Sequence, residues 1–214
     1  SVDLAATVTA VPAVPDHESN YAQPWTFSNG EDLFGTLRGG FHLNEDITAW
    51  AAYGMRSSEE YNLLGGLDLT DAATGAATTY RFENAREDEV NTGELGLRGK
   101  LRTGSVGHEW VVSASHFALD TKNGYAMDFT NLLSTNLYAP TLHPLPPFGA
   151  SPYIGNSLAA PQLSTRTRLS SVAVGDTLSL LDDRVLVTLG ARHQKLEVKN
   201  IAPRIDFGGT VTPG

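Results

Sequence analysis

Aromatic and cationic side chains in turn-rich segments are the residues of this chain best suited to hold a ligand. Aromatic rings stack on catecholate or other aromatic ligands, and guanidinium groups pair with anionic groups. The candidate ligand-binding residues are Tyr21, Trp25, Tyr61, Tyr80, Arg81, Arg86, Tyr125, Tyr138 and Tyr153. The alternative is that these side chains pack the loops together or form an aromatic girdle at a membrane interface. Residue type alone leaves both interpretations open.

No arrangement of side chains in the sequence indicates bond-making chemistry. The six histidines are scattered, and neither an HExxH motif nor a histidine pair at i, i+4 spacing is present. A GxSxG nucleophile motif and a phosphate-binding loop are absent as well. Asp182 and Asp183 fit a solvated tight turn better than a pair of catalytic carboxylates. We therefore expect no enzyme activity, no metal site and no cofactor.

Composition narrows the class of protein. Lys and Arg number 15 and Asp and Glu number 24, so the net charge is −9. Such an acidic chain is a poor partner for nucleic acid. Cysteine is absent, which excludes disulfides and thiolate chemistry. No stretch approaches the roughly 18 consecutive apolar residues of a transmembrane helix.

A two-residue alternation of apolar and polar side chains recurs along the chain and indicates β-strands. Strands are expected at residues 4–9 and from points near Leu33, Ile47, Thr79, Trp110, Thr167 and Val185, about seven in all. Turn-forming residues at 44–46, 103–107 and 182–183 predict hairpins over 33–56, 92–118 and 168–198. The sequence therefore predicts an all-β, antiparallel fold.

Long segments alternate with these tight turns. We expect loops at about 10–31, 57–78 and 120–166. The density of proline between 136 and 163 excludes central strands there. Compact soluble domains seldom carry several structureless loops above roughly 12–15 residues. Hairpins that close tightly at one end and open into long loops at the other are the layout of outer-membrane barrels.

The two faces of the predicted strands differ in character. Residues expected to face lipid are Leu95, Leu97, Val112, Val187 and Leu189. Residues expected to face a barrel lumen are Thr36, Arg38, Glu94, Arg98, Ser113, Thr188 and Arg192. Asp176 conflicts with this division, because it lies in phase with Val174 and Leu178. A bulge or a position near the membrane interface would resolve the conflict. A soluble sheet with one wet face would show the same alternation.

Several short strings run in order along nearly the whole chain. They are NYAQPWT at 20–26, FGTLRG at 34–39, ITAWAAYG at 47–54, TGELGLRGK at 92–100, NLYAP at 136–140, DTLSLLDDR at 176–184 and TLGAR at 188–192. Together these strings resemble TonB-dependent outer-membrane siderophore receptors. The resemblance implies a 22-stranded transmembrane β-barrel with long extracellular loops. It also implies a plug that fills the barrel and couples to the TonB complex.

The resemblance places this chain within such a receptor as an internal barrel segment. Residues 1–214 are expected to form a partial barrel domain that contains neither the plug nor the C-terminal strand. The function implied is TonB-dependent uptake of a ferric siderophore in the bacterial outer membrane, with this chain supplying barrel wall and ligand-binding loops. The partners implied are the ferric siderophore, outer-membrane lipid and, through the missing plug, TonB. The alternative is a soluble all-β module that binds carbohydrate or protein, in which the strand faces pack sheet on sheet.

Overall fold

The computed structural model describes residues 2–18 and 20–207, and over these residues it contains ten β-strands in one sheet. The strands are β1 (Val2–Leu4), β2 (Phe27–His42), β3 (Ile47–Leu69), β4 (Ala76–Thr103), β5 (Val106–Met127), β6 (Leu133–Asn136), β7 (Tyr153–Gly155), β8 (Gln162–Leu180), β9 (Val185–Asn200) and β10 (Ile205–Phe207). The predicted domain bounds of 1–214 include residues 1, 19 and 208–214, which lie outside the described part. Within the described residues, no helix has the length and apolar character needed to cross a bilayer.

Six long strands form the body of the sheet in the order β2–β3–β4–β5–β8–β9, each antiparallel to its neighbours. The short strands add to this body at one end. Strand β1 pairs parallel with β3, β6 pairs with β4, β7 pairs with β5, and β10 pairs with β7. Among the described residues β2 and β9 each pair with one strand only, so the sheet stays open. The all-β antiparallel prediction is confirmed, and an open sheet is consistent with part of a barrel.

The three predicted hairpins are confirmed. In the first, the Asn44 side chain accepts hydrogen bonds from the backbone N–H groups of Asp46 and Ile47 and so closes the turn. In the second, Gly104 adopts φ +63°, which suits a residue without a Cβ. The third closes through Leu181, Asp182 and Asp183, all at positive φ. We call this side of the sheet the turn end and the opposite side the loop end.

The predicted loop at 57–78 is wrong, because β3 and β4 continue through it and leave only residues 70–75 as a turn. Their pairing is unbroken from Ile47 opposite Gly99 to Leu69 opposite Ala77. Charged residues such as Glu60 and Arg86 face each other here in place of apolar pairs. Backbone hydrogen bonds hold a ladder together without apolar alternation, so periodicity missed this extension.

The predicted loop at 120–166 is wrong in part. Strand β5 runs on to Met127, β8 begins at Gln162, and β6 and β7 lie between them. The count of about seven strands was too low because strands of three or four residues are too short to show alternation. The strand predicted at 4–9 is wrong apart from Leu4: β1 covers Val2–Leu4, and Val8 then donates to the Ala5 carbonyl in a turn. The loop predicted at about 10–31 is nearly right, since β2 begins at Phe27.

The register confirms that the two predicted sets of residues lie on opposite faces. Leu97, Val112 and Val174 stand in line across three strands on one side, which we call the apolar face. Gly96, Ser113 and Ala173 stand in line on the other side, which also carries Arg38, Glu94, Arg98 and Arg192 and which we call the polar face. Large side chains on the apolar face are exposed, Leu95 at 62%. Such an extended apolar surface needs an apolar environment to cover it.

Asp176 does lie on the apolar face, and the structure shows how it is accommodated. Its Oδ2 lies 2.7 Å from Nδ1 of His108 on the neighbouring strand. Trp110 stands opposite Asp176 in the register, and the tight turns at 104–105 and 181–184 are only a few residues away. The carboxylate therefore lies near the turn end with a partner for Oδ2, while its buried Oδ1 has no hydrogen-bond partner among the described residues.

At the loop end the apolar face is covered by the chain itself. Leu67, Leu69, Ala77 and Leu137 form one small core, against which Tyr21 and Tyr138 pack. Ala85, Ala126 and Leu158 form a second, with Tyr61, Phe148 and Ile154 around it. The segments before β2 and between β5 and β8 therefore fold back onto this face and leave the polar face more open.

Candidate functional site

A row of apolar and aromatic side chains crosses the polar face at the loop end. Leu64, Phe82, Met127, Tyr153 and Phe207 stand opposite one another on five successive strands. One step away along the strands lie Tyr80, which pairs with Gly66, and Tyr125, which pairs with Gly155. We call Tyr80, Phe82, Tyr125, Phe129, Tyr153 and Phe207 the aromatic platform.

Five of the six platform rings form two groups of contacting rings. Tyr125 and Tyr153 stack with centroids 6.0 Å apart, and Phe207 meets Tyr153 edge-on at 5.2 Å. Tyr80 and Phe129 form the second group at 4.8 Å. Phe207 is 71% exposed and Phe129 is 50% exposed. These rings therefore offer an apolar surface of fixed geometry to a ligand above them.

Glycine opposite tyrosine fixes two of these rings. A methyl group at Gly66 would overlap the Tyr80 ring, and one at Gly155 would overlap the Tyr125 ring. Each tyrosine therefore lies flat across the backbone of the neighbouring strand. This is a known way in which an aromatic residue compensates for glycine in a sheet.

The phenols of Tyr80 and Tyr125 stay neutral at ordinary pH. Burial, and then the carboxylates of Asp68 and Asp3, raise the pKa of Tyr80. Burial and the neighbouring Tyr153 hydroxyl raise the pKa of Tyr125. A neutral phenol can stack through its ring and donate one hydrogen bond. The surface is therefore equipped for binding rather than for proton transfer or nucleophilic attack.

The structure brings three of the nine sequence-predicted residues together, namely Tyr80, Tyr125 and Tyr153. Arg86 lies lower on the same polar face, where its Nη2 is 2.8 Å from Oδ2 of Asp88. Its side chain is still about half exposed. Arg86 is therefore near the platform but separate from its rings.

The other five predicted residues lie elsewhere. Tyr61 and Arg81 belong to a buried hydrogen-bond network on the covered apolar face. Tyr21 packs against the Leu67 core, as does Tyr138, whose hydroxyl donates to the Ala13 carbonyl at 3.2 Å. Trp25 lies beside Gly65 with its indole N–H buried and without a hydrogen-bond acceptor in the described part of the chain. In this structure these five side chains hold segments of the chain together.

Sequence reasoning missed Phe82, Met127, Phe129 and Phe207 as members of the site. The spacing of Tyr80 and Phe82, and of Tyr125 and Met127, is a two-residue signal that places each pair on one face of a strand. The pairing of β7 with β5 and β10 brings the rest together, and no local pattern encodes it. Across the residues that the structure describes, no group of three or more metal-binding side chains occurs.

The fold and the site define the architecture: part of the wall of a β-barrel, with an aromatic surface at one end. No family model matches the chain. A ferrichrome receptor of Yersinia enterocolitica is 29% identical over 192 residues, which cover 90% of this chain and 24% of that receptor. The chain therefore spans about a quarter of the length of this curated relative.

Solved structures show the same fold. The ferric preacinetobactin receptor of Acinetobacter baumannii matches 96% of this chain with a TM-score of 0.74 and 24% identity, over 31% of its own length. A siderophore receptor of the same organism matches 92% with a TM-score of 0.65 and 19% identity, also over 31% of its length. The ferric-catecholate import receptor of E. coli K12 matches 86% with a TM-score of 0.59 and 15% identity, over 28% of its length. The predicted resemblance to siderophore receptors is confirmed, and the chain corresponds to part of them. Because these proteins are receptors, they agree with the expectation that the chain is not an enzyme.

Proposed function

We propose that this chain is part of an outer-membrane receptor that takes up a ferric siderophore with energy supplied through TonB. The chain would contribute a section of barrel wall and one side of the ligand-binding mouth. The observation that carries this proposal is the aromatic platform, which continues the polar face upward at the loop end. The similarity to a ferrichrome receptor supports iron–siderophore complexes as the ligand class. The iron complex is cargo, and no resident cofactor is proposed.

The two faces support the membrane part of the proposal. The apolar face is exposed across six strands between the turn end and the folded-back segments, and lipid would cover it. The polar face would line the lumen. A soluble binding module would have to bury this apolar face against a second layer, and the described residues form a single sheet.

Uptake in cells tests the function as a whole. Bacteria with and without the gene for the whole receptor would be starved of iron and given radiolabelled ferrichrome, a ferric catecholate or other ferric siderophores. We expect the gene to raise uptake of at least one complex, and the increase to require TonB. Equal uptake in both strains across a broad panel would contradict the proposal.

Variants of the platform test the site. In the whole receptor we expect Tyr153→Ala to weaken binding of the transported complex by about tenfold, the loss of one stacking ring, since an aromatic pair contributes roughly 0.5–1.5 kcal/mol. Tyr153→Phe keeps the ring and should bind nearly as well as the parent. Phe41→Ala, an exposed aromatic residue on the apolar face at the turn end, is the matched control. Equal affinity of the Tyr153→Ala and Phe41→Ala variants would remove the platform from the binding site.

A further inference from the structure

A buried polar network ties the segment between β5 and β7 to strand β4, on the side of the sheet opposite the platform. We propose that Arg81 is a positioning residue: it holds residues 146–149 in place and thereby sets the position of Tyr153 in the aromatic platform. Only the expected effect of Arg81 on ligand binding rests on the proposed function. It assigns Arg81 a role different from the direct contact with ligand expected from its residue type.

The donors of Arg81 are all directed into the covered apolar face. Its Nε donates to Oε1 of Glu83 at 2.6 Å, and its Nη1 donates to the Pro146 carbonyl at 2.9 Å. The guanidinium carbon lies 4.1 Å from the centre of the Phe148 ring. Arg81 therefore joins strand β4 to two residues of the folded-back segment, by a hydrogen bond to one and a cation–π contact with the other.

The buried carboxylate of Glu83 holds the Arg81 side chain in position. Only 1% of Glu83 is exposed, and its second oxygen accepts a hydrogen bond from the Tyr61 hydroxyl at 2.5 Å. A buried carboxylate needs partners for both oxygens, and here Arg81 and Tyr61 supply them. Removal of Arg81 would leave an uncompensated buried charge, which is among the more costly changes a fold can suffer.

A second attachment lies three residues further along. Asp128 is fully buried and accepts a hydrogen bond from the Gly149 N–H at 2.6 Å, while its own N–H donates to the Arg81 carbonyl at 3.1 Å. Burial alone would raise the pKa of Asp128, but hydrogen bonds from Thr130 and Gly149 outweigh burial and lower it. Asp128 is thus a stable acceptor. We call Tyr61, Arg81, Glu83, Asp128 and Phe148 the clasp.

The clasp controls the platform because β7 follows it directly. Strand β7 has three residues and pairs with three residues of β5 and three of β10. Such a short strand holds its place poorly unless the chain on either side of it is fixed. The clasp fixes the chain at 146–149, four residues before Tyr153. Loss of the clasp should therefore let β7 separate from β5 while the long strands stay paired.

Amide hydrogen exchange of the whole, detergent-solubilised receptor tests the mechanism without any ligand. We expect Arg81→Met to speed exchange of the amides at 148–151 and 153–155 by about tenfold or more, because local opening becomes easier. Amides of the β4–β5 hairpin near Leu97 should exchange as in the parent. Arg86→Met is the matched control, since Arg86 lies on the same strand but the opposite face. Unchanged exchange at 148–151 and 153–155 in the Arg81 variant, or equal acceleration in both variants, would overturn the proposal.

Two further variants keep the test valid if Arg81→Met fails to fold. Phe148→Leu removes the ring beneath the guanidinium and leaves the buried ion pair intact. We expect a smaller acceleration of exchange, confined to the amides at 148–151 and 153–155. Arg81→Lys keeps the charge beside Glu83 but loses the planar group that reaches both Pro146 and Phe148, so it should restore folding but not full protection. Full protection in both variants would contradict the proposed role of the clasp.

Uptake kinetics then separate positioning from transport. With radiolabelled ferrichrome and a ferric catecholate as probes, we expect Arg81→Met to raise the half-saturation concentration about tenfold and to change the maximal rate little, since ligand would have to order β7 on binding. If amide exchange at β7 is faster but the half-saturation concentration is unchanged, the proposed effect of the clasp on ligand binding is refuted. If neither probe is taken up by the parent, the proposed function fails for these complexes while the exchange result still decides the clasp.

Discussion

At the scale of single residues, glycine and an aromatic ring directly opposite it form a repeated unit of this sheet. Gly66 faces Tyr80 and Gly155 faces Tyr125 in the platform, and Gly96 faces Trp50 on the polar face lower down. A side chain on any of these glycines would occupy the space of the ring. Glycine is therefore required at these positions for space and not for backbone conformation.

We expect Gly155→Ala to displace the Tyr125 ring, to weaken ligand binding and to destabilise the receptor by about 1–3 kcal/mol, as overpacking does. Gly39→Ala is the control, because no atom lies within 4 Å of a methyl group placed there. Its effect should stay within about 0.5 kcal/mol. Urea unfolding of the parent, the two variants and the double variant Gly155→Ala/Tyr125→Ala measures this. If the loss of unfolding free energy in the double variant equals the sum of the losses in the two single variants, the ring and the methyl group do not contact each other.

The stabilisation that Tyr61 gives to the clasp depends on pH. Burial, and then the hydrogen bond to Glu83, raise the pKa of Tyr61 to about 12. Because the folded pKa is raised above the unfolded value of about 10, Tyr61 stabilises the clasp fully below pH 10 and loses this effect as pH rises toward 12. We expect protection of the amides at 148–151 and 153–155 to fall over this interval in the parent. In Tyr61→Phe that fall should be much weaker, and an equally steep fall would contradict the assignment to Tyr61.

Residue type identified three platform tyrosines from sequence but not the clasp. Tyr80, Tyr125 and Tyr153 are large aromatic residues in turn-rich segments, and that is a local property. In the sequence, Arg81 and Glu83 have the spacing of an exposed ion pair on one face of a strand. Their burial depends on Phe148, which lies 65 or more residues away, so no sequence window contains the information.

At the scale of elements, the alternation of side chains predicted every long strand and all three tight hairpins. The alternation failed as a signal where a strand no longer has one apolar face and one polar face. Beyond Tyr53 and Asn91 the strands β3 and β4 carry polar residues on one face and chain-covered residues on the other, and the alternation disappears while the pairing continues. Strand length was thus underestimated at the loop end only.

The apolar face gives a prediction that belongs to the strands. Val187 and Thr188 are neighbours on β9 and point to opposite faces. We expect Val187→Arg to destabilise the folded barrel by roughly 2–4 kcal/mol if it lies near the bilayer midplane, and Thr188→Arg to cost much less. Folding of the whole receptor into lipid vesicles, followed by denaturant titration, measures both. Similar stability of the two variants would argue against a membrane wall.

At the scale of the whole molecule, the sheet has a turn end and a loop end that we propose face opposite sides of the outer membrane. The chain contains no cysteine, so a single introduced cysteine within it reports one position. In intact cells that carry the whole receptor, we expect an impermeant thiol reagent to label Ser151→Cys and not Asp183→Cys. Both residues are exposed in the structure, so accessibility within the protein is matched. Labelling at Asp183→Cys alone would reverse the orientation.

Among the six long strands that the structure describes, the pairing of β5 with β8 is the one that no hairpin makes, and it has a consequence for the order of assembly. Strands β2 to β5 form a continuous meander, and β8 and β9 form a separate hairpin, so each block closes through short turns. The two blocks meet only where β8 pairs with β5, and the chain between them runs from Met127 to Gln162. Closing a longer loop loses more conformational entropy before any stabilising contact forms, so pairing between distant segments is slow. The meander and the hairpin should therefore form first. The clasp and the platform each include residues of the connecting segment, so they should be completed last.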